Sequence, residues 1–163
     1  MLPLSQTTGY AILALGCLNG CCGRLMLARE IAASTGTPLP YLSKLLHALC
    51  RRGLIEGKRG YRGGFVLARP AEQISLLEVA EAVEGDAWLP RCLLGLAECS
   101  PQQVCPAHEF WAVERERIKD KLRATTIADV AAFARQRGLV PLRDDSRFPP
   151  ENSHSSGSVE GGP

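Results

Sequence analysis

Residues 26–68 read M-L-A-R-E-I-A-A-S-T-G-T-P-L-P-Y-L-S-K-L-L-H-A-L-C-R-R-G-L-I-E-G-K-R-G-Y-R-G-G-F-V-L-A. Leu27, Ile31 and Ala32 recur at helical spacing and predict a helix over 26–34. Thr35-Gly36-Thr37 makes a short turn, and Pro38 or Pro40 opens a second helix that runs to about residue 52. Tyr41, Leu42, Leu45, Leu46 and Leu49 form its apolar side, and Ser43, Lys44, His47 and Arg51 its polar side. Two helices joined by a tight glycine turn, the second basic on its outer face, describe a helix-turn-helix. Residues 54–58 and 65–68 read as strands around R-G-Y-R-G-G, a flexible, cationic hairpin tip. A helix-turn-helix followed at once by such a hairpin is a winged helix. Its second helix would enter a major groove, and its wing arginines would reach a minor groove. The glycine run matches neither G-x-x-x-x-G-K-[ST] nor G-x-G-x-x-G before a helix, so a nucleotide cradle is set aside.

Upstream, Ser5 reads as an N-cap for a helix over 6–18, with Tyr10, Leu13 and Cys17 inward and Ala11, Ala14, Leu15 and Leu18 widening the face. Cys21 and Cys22 fall in its exit turn after Asn19-Gly20, and with Cys17 they read first as packing residues, then as a redox pair. Downstream, Ser75 and Glu78 have capping-box spacing for a helix over 76–84 that Gly85 ends. A helix over 106–125 carries Phe110, Trp111, Ile118 and Leu122 with charges alternating in E-R-E-R-I-K-D-K, and another spans 127–136. These helices can bury their apolar stripes on the winged domain or on a second subunit, and symmetric DNA sites favour the second subunit. The expected fold is mainly α with a small β-wing: a winged helix-turn-helix DNA-binding domain plus a long dimerisation helix. The expected organisation is a DNA-binding domain over 1–85, a cysteine-rich loop over 86–108, dimerisation helices over 109–137 and a disordered tail over 138–163.

That loop is the chemically distinctive stretch: C-L-L-G-L-A-E-C-S-P-Q-Q-V-C-P-A-H over 92–108. Cys92, Cys99 and Cys105 are separated by six and five residues, and His108 follows three residues after the last cysteine. Pro106 is expected at the first position of the next helix, which makes Cys105 the N-cap and places His108 near the end of the first turn. The helix dipole would then favour a thiolate at Cys105. Three readings compete. Packing of small apolar thiols fits poorly with so polar a loop. A Cys3His zinc site has suitable ligands but lacks a short C-x2–4-C pair. An iron–sulfur cluster suits the wider gaps.

Net charge is only +2, but its distribution is uneven. Residues 1–69 hold nine Lys/Arg against two Asp/Glu, whereas 70–135 hold seven against eleven. A basic first half points to a polyanion, with nucleic acid the first candidate. No basic region precedes the apolar run over 11–18, which is too short to span a membrane, so a cytoplasmic location is expected. There, seven cysteines indicate metal or redox chemistry before structural disulfides.

The chain resembles the Rrf2 family of bacterial transcription regulators from residue 4 to about 135. The resemblance rests on L-S-Q-T-T-G-Y-A-I-L-A-L over 4–15, P-Y-L-S-K-L-L-H-A-L over 40–49 and G-L-I-E-G-K-R-G-Y-R-G-G-F-V-L-A-R-P-A over 53–71. It continues through V-A-E-A-V-E-G over 79–85, C-P-A-H-E-F-W over 105–111 and T-T-I-A-D-V over 125–130. It implies a homodimeric winged-helix repressor or activator. Family members with the cysteine triad carry a [2Fe-2S] or [4Fe-4S] cluster that reports iron–sulfur status, iron, nitric oxide or redox state. Cys92, Cys99, Cys105 and His108 match the four ligand positions of the iron–sulfur-assembly branch, although the first gap is one residue longer. The aspartate of the nitric-oxide-sensing branch falls at about Gly9, where no carboxylate is present, which favours His108 as fourth ligand, or an exogenous or incomplete ligand set. The recognition-helix glutamate of the assembly branch is Ser43 here, so the operator does not carry over.

The expected function is therefore a DNA-binding regulator gated by an iron–sulfur cluster, [2Fe-2S] ahead of [4Fe-4S], with zinc behind both. Its expected partners are double-stranded operator DNA and a second copy of the chain, with no membrane and no small-molecule substrate. Lys44, Arg51, Lys58, Arg59 and Arg62 would hold phosphates or the minor groove, joined by Pro40, His47 and Gly60 at the interface. Tyr41, Ser43 and Lys44 would test base edges. Gain or loss of the cluster would reorder the loop and respace the recognition helices. One alternative is a metal-free thiol switch at Cys99 and Cys105; another, of a different class, is an electron-transfer or cluster-carrier protein on a winged scaffold. No Ser/His/Asp set, paired carboxylate or nucleotide loop supports an enzyme.

Overall fold

A computed structural model of the chain describes residues 4–21, 23–60, 63–90, 92–94 and 105–137. The elements run α1 (Gln6–Asn19), α2 (Ala28–Thr35), α3 (Leu39–Arg51), β1 (Ile55–Lys58), β2 (Gly64–Leu67), a 3-10 turn (Ala71–Gln73), α4 (Leu76–Glu84), α5 (His108–Ala124) and α6 (Ile127–Arg137). This is a mainly helical winged fold with one two-stranded antiparallel sheet among the described residues. Ile55 pairs with Leu67 and Lys58 with Gly64.

The helix-turn-helix forms where the glycine and prolines place it. Gly36 ends α2 in the left-handed conformation at φ 68°, which a residue without a Cβ adopts readily. Pro38 precedes α3 and its carbonyl accepts the Leu42 N–H at 2.9 Å. Pro40 sits in the first turn, where its missing N–H leaves no bond unmade. Leu42, Leu45, Leu46 and Leu49 are buried, as the spacing predicts. Tyr41 is not among them: it is 38% exposed at the edge of this stripe, a correction to the predicted apolar face.

The start of α2 and the buried face of α1 also differ from expectation. Met26 lies outside α2 and bridges to the wing: its N–H donates to the Phe65 carbonyl at 2.9 Å and its carbonyl accepts the Phe65 N–H at 2.7 Å. The Glu30 carboxylate accepts the Leu27 N–H at 2.8 Å, and α2 begins only after that residue. In α1 the deepest positions are Thr8, Ala11, Ala14, Leu15 and Leu18, while Tyr10, Leu13 and Cys17 lie half-buried. The stripe is rotated because α1 is packed by α2, α3, α4, α6 and β2 together. The buried Thr8 hydroxyl donates to Glu84 at 2.7 Å, so a polar residue inside the stripe is satisfied.

The Ser75–Glu78 capping box forms as its spacing predicts. The Ser75 N–H donates to the Glu78 carboxylate at 2.9 Å, and the Glu78 N–H donates to Ser75 Oγ at 3.3 Å. A second box, T-I-A-D over 126–129, has the same logic: the Thr126 N–H donates to Asp129 at 2.8 Å and the Asp129 N–H to Thr126 Oγ1 at 3.2 Å. The segments ahead of α4 and α6 pair through Leu76 N–H to Thr125 O and Ile127 N–H to Ile74 O, each 2.9 Å. Ile127 is thereby fully buried, and α6 packs on α1 of its own domain. The expectation that these helices bury their stripes mainly on a second subunit is corrected for Ile127 and Ala131.

Glu78 gives a testable pH dependence. Partial burial pushes its pKa up, but hydrogen bonds from Ser75 and the charge of Arg69 outweigh that and hold the carboxyl below its usual value. A folded pKa below the unfolded one stabilises above the unfolded pKa, and the gain is lost as pH falls through the folded value. Glu78→Gln should therefore lower stability at neutral pH, and the difference from the parent should shrink toward zero as urea titrations are moved into the acid range. The wing tests backbone geometry. A Cβ on Gly64 (φ 152°) would stand 2.7 Å from the Met26 carbonyl oxygen, whereas one on Gly16 meets nothing within 4 Å. Gly64→Ala should cost on the order of 1–3 kcal/mol in chemical denaturation, and Gly16→Ala should stabilise by roughly 0.5–1 kcal/mol.

Candidate nucleic-acid interface and cysteine loop

On α3 the outer face is built by local bonds. Ser43 Oγ donates to the Leu39 carbonyl at 2.8 Å, and His47 Nδ1 lies 2.7 Å from the Ser43 carbonyl. A carbonyl only accepts, so Nδ1 carries the proton and Nε2 is left as the outward nitrogen. Lys44, His47 and Arg51 are exposed, as are Pro40 at the head of the helix and Lys58, Arg59 and Gly60 on the wing. Arg62 lies outside the described residues. Tyr41 is held differently from its neighbours. Its hydroxyl hydrogen-bonds Thr7 Oγ1, and its ring meets Tyr10 edge-on with centroids 5.8 Å apart. Tyr41 thus links the head of the recognition helix to α1. Arg52, one residue beyond the predicted basic face, is committed to Asp86 at 3.0 Å.

The cysteine loop is described at its two ends only. Cys92 is buried, Cys105 is half-buried and His108 is the first residue of α5. Cys99 lies outside the described residues, as do Cys22 and the predicted tail over 138–163. Among the described residues no group of three His, Cys, Asp or Glu side chains stands ready to hold a metal. The predicted N-cap role of Cys105 is corrected. The His108 N–H donates to the Cys105 carbonyl at 3.0 Å, closing a turn with Pro106 inside it, and Ala107 is the residue that caps α5. Proline served the turn rather than the first helical position. The loop ends are nevertheless tied together. Trp111, 3% exposed, donates its indole N–H to the Pro90 carbonyl at 2.8 Å. That bond joins the segment entering Cys92 to the first turn of α5, which carries His108 and follows Cys105.

Elsewhere, burial raises the Cys50 thiol above its ordinary value. Burial also raises Cys17, against a hydrogen bond from Ser34 that lowers it.

A winged helix with an exposed basic recognition helix and a basic wing defines a DNA-binding transcription regulator. The Rrf2 family model, described as an iron-dependent transcriptional regulator, matches residues 4–132, and the chain belongs to that family. A protein of Aquifex aeolicus provisionally named an HTH-type transcriptional regulator is 36% identical over 141 residues, which are 85% of this chain and 96% of that protein. The HTH-type transcriptional regulator IscR of Klebsiella pneumoniae is 32% identical over 131 residues, 79% of each chain. Among solved structures, CymR, the global cysteine regulator of B. subtilis, superposes with TM-score 0.67 at 25% identity, over 82% of this chain and 98% of that one. An oxidized form of Staphylococcus aureus CymR gives TM-score 0.61 at 26% identity, over 80% and 96%. These relatives are transcription regulators and not enzymes. Among the described residues no helix is long and apolar enough to cross a membrane.

Trp111→Phe keeps most of the buried ring but leaves the Pro90 carbonyl without its donor. Pro90 is exposed and water can take the donor's place, so loss of that bond should cost roughly 0.5–1.5 kcal/mol in urea unfolding. It should also raise protease cleavage within 91–104, while cleavage elsewhere stays unchanged.

Proposed function

We propose that this chain is a homodimeric Rrf2-type regulator whose grip on operator DNA is set by an iron–sulfur cluster held by Cys92, Cys99, Cys105 and His108, of the [2Fe-2S] type. The observation that carries the reading is the Trp111–Pro90 bond. It ties the segment that precedes Cys92 to the first turn of α5, which supports a site drawing ligands from both ends of the loop. The donor set of three thiols and one imidazole fits such a group, and a histidine ligand raises the potential of the cluster it binds. The chain's own lever is the head of α5. Cys105 and His108 lie in the turn that starts it, α5 packs on α4, and α4 packs on α3. A shift at that turn therefore reaches the recognition helix through two helix contacts. Lys44, Arg51, Lys58, Arg59 and Arg62 take phosphates, with Pro40, His47 and Gly60 beside them, and Ser43 tests base edges. Tyr41 sets the angle of α3 through Thr7 and Tyr10. Exposed Phe110 (62%), Val113 and Phe133 on α5 and α6 supply the apolar surface that a second copy would cover.

A second reading is a metal-free thiol switch at Cys99 and Cys105. It is favoured by the likeness to CymR, of which one solved structure is an oxidized form.

Protein purified without oxygen separates the two. The first reading expects a brown protein with iron and sulfide in comparable amounts, both lost in Cys105→Ala. A colourless protein that reconstitution leaves without iron and sulfide sinks it, and DNA binding that follows thiol oxidation in that metal-free protein establishes the second. On operator DNA, Arg51→Ala should weaken binding evenly across sequences and reduce the slope of log K against log salt by about 1. An unchanged slope would remove Arg51 from the phosphate contacts.

A further inference from the structure

Three sulfur atoms from separate segments meet between the end of α1 and the base of the wing. Cys21 Sγ lies 2.9 Å and Cys17 Sγ 3.8 Å from Met26 Sδ. Met26 is 5% exposed, whereas both thiols are half-buried, so the thioether forms the floor and the thiols the rim. Each donor is fixed by its backbone. Cys17 belongs to the last turns of α1. Cys21 is held in the exit turn by its N–H to the Leu18 carbonyl at 3.2 Å and by its carbonyl accepting the Arg24 N–H at 3.0 Å. Met26 is held by its two bonds to Phe65. Packing needs small apolar side chains at these positions, but it does not need two thiols aimed at one thioether.

We propose that Cys17, Cys21 and Met26 form a binding site for a soft monovalent cation, Cu(I), separate from the cysteine loop. Two thiolates and a thioether are the soft donors that select Cu(I), and the thioether is a poor ligand for zinc, magnesium or calcium. Binding replaces two S–H bonds by two Cu–S bonds and adds one bond from the Met26 sulfur. Two protons leave to solvent, the complex carries one net negative charge, and no electron moves. Met26 is also the residue on which the wing rests, because its backbone pairs with Phe65 and a Cβ on Gly64 would collide with it. Occupancy of the site therefore stiffens the base of the wing.

The test uses full-length protein in which Cys92, Cys99 and Cys105 are alanine, so that the loop does not compete. Cu(I) is supplied anaerobically from a chromogenic chelator. The parent should withdraw one equivalent. Cys17→Ser and Cys21→Ser should each abolish competition with the chelator, and Met26→Leu should weaken binding about tenfold, about 1.4 kcal/mol. Met26→Leu nearly conserves volume, and an unchanged circular dichroism melt shows that it folds. The site is overturned if the chelator keeps its copper, if either serine variant competes as the parent does, or if Met26→Leu binds as tightly as the parent. Amide exchange at Phe65 should slow on Cu(I) addition, and an unchanged rate there overturns the link to the wing.

Discussion

Burial of the leucine face of α3 is the constraint to which the other elements conform. Leu42, Leu45, Leu46 and Leu49 lie at 0–5% exposure, and each contributes about 1.5–3 kcal/mol relative to an exposed side chain. Because they occupy one side of a thirteen-residue helix, the opposite side is committed to solvent along its whole length. Lys44, His47 and Arg51 therefore project outward together. α1 forms the backing plate, and its small residues Ala11 and Ala14 let neighbouring helices approach closely. The exposed basic face is in this sense the reverse side of the core.

Elements set by local patterns were legible in the chain. The glycine and proline punctuation around α3, the two strands flanking the glycine run and the Ser75–Glu78 box all act within a few residues, and all appear close to where their spacing placed them. The Thr126–Asp129 box carried the same signal, T-x-x-D, and went unread beside the stronger apolar pattern of α6. Elements decided by distant partners were not legible. The rotation of the α1 stripe depends on neighbours from across the fold, and Met26 leaves its helix because Phe65, far along the chain, offers it two hydrogen bonds. Nothing near Tyr41 in sequence announces that Thr7 and Tyr10 hold it.

The cysteine loop illustrates the same division. Its residue types and spacing speak to chemistry, and the resemblance of the motif to a known family adds the ligand assignment. The role of Pro106 depended on a choice between two local geometries, turn or first helical residue, both of which proline accepts. The His108–Cys105 bond decides for the turn. The tie between the loop ends came from an indole whose partner, Pro90, lies twenty-one residues away. Trp111 reads in sequence as one more apolar residue of α5, and its burial and its hydrogen bond distinguish it from exposed Phe110 beside it.

The pairing of Met26 with Phe65 bears on solubility. A two-stranded ribbon presents two open edges, and an open edge recruits strands from other molecules. Met26 occupies one edge at its midpoint with both available bonds. The other edge, β1, is four residues long and carries exposed Glu56 and Lys58, whose charges oppose edge-to-edge stacking. The wing can thus remain thin and exposed without becoming a nucleus for aggregation.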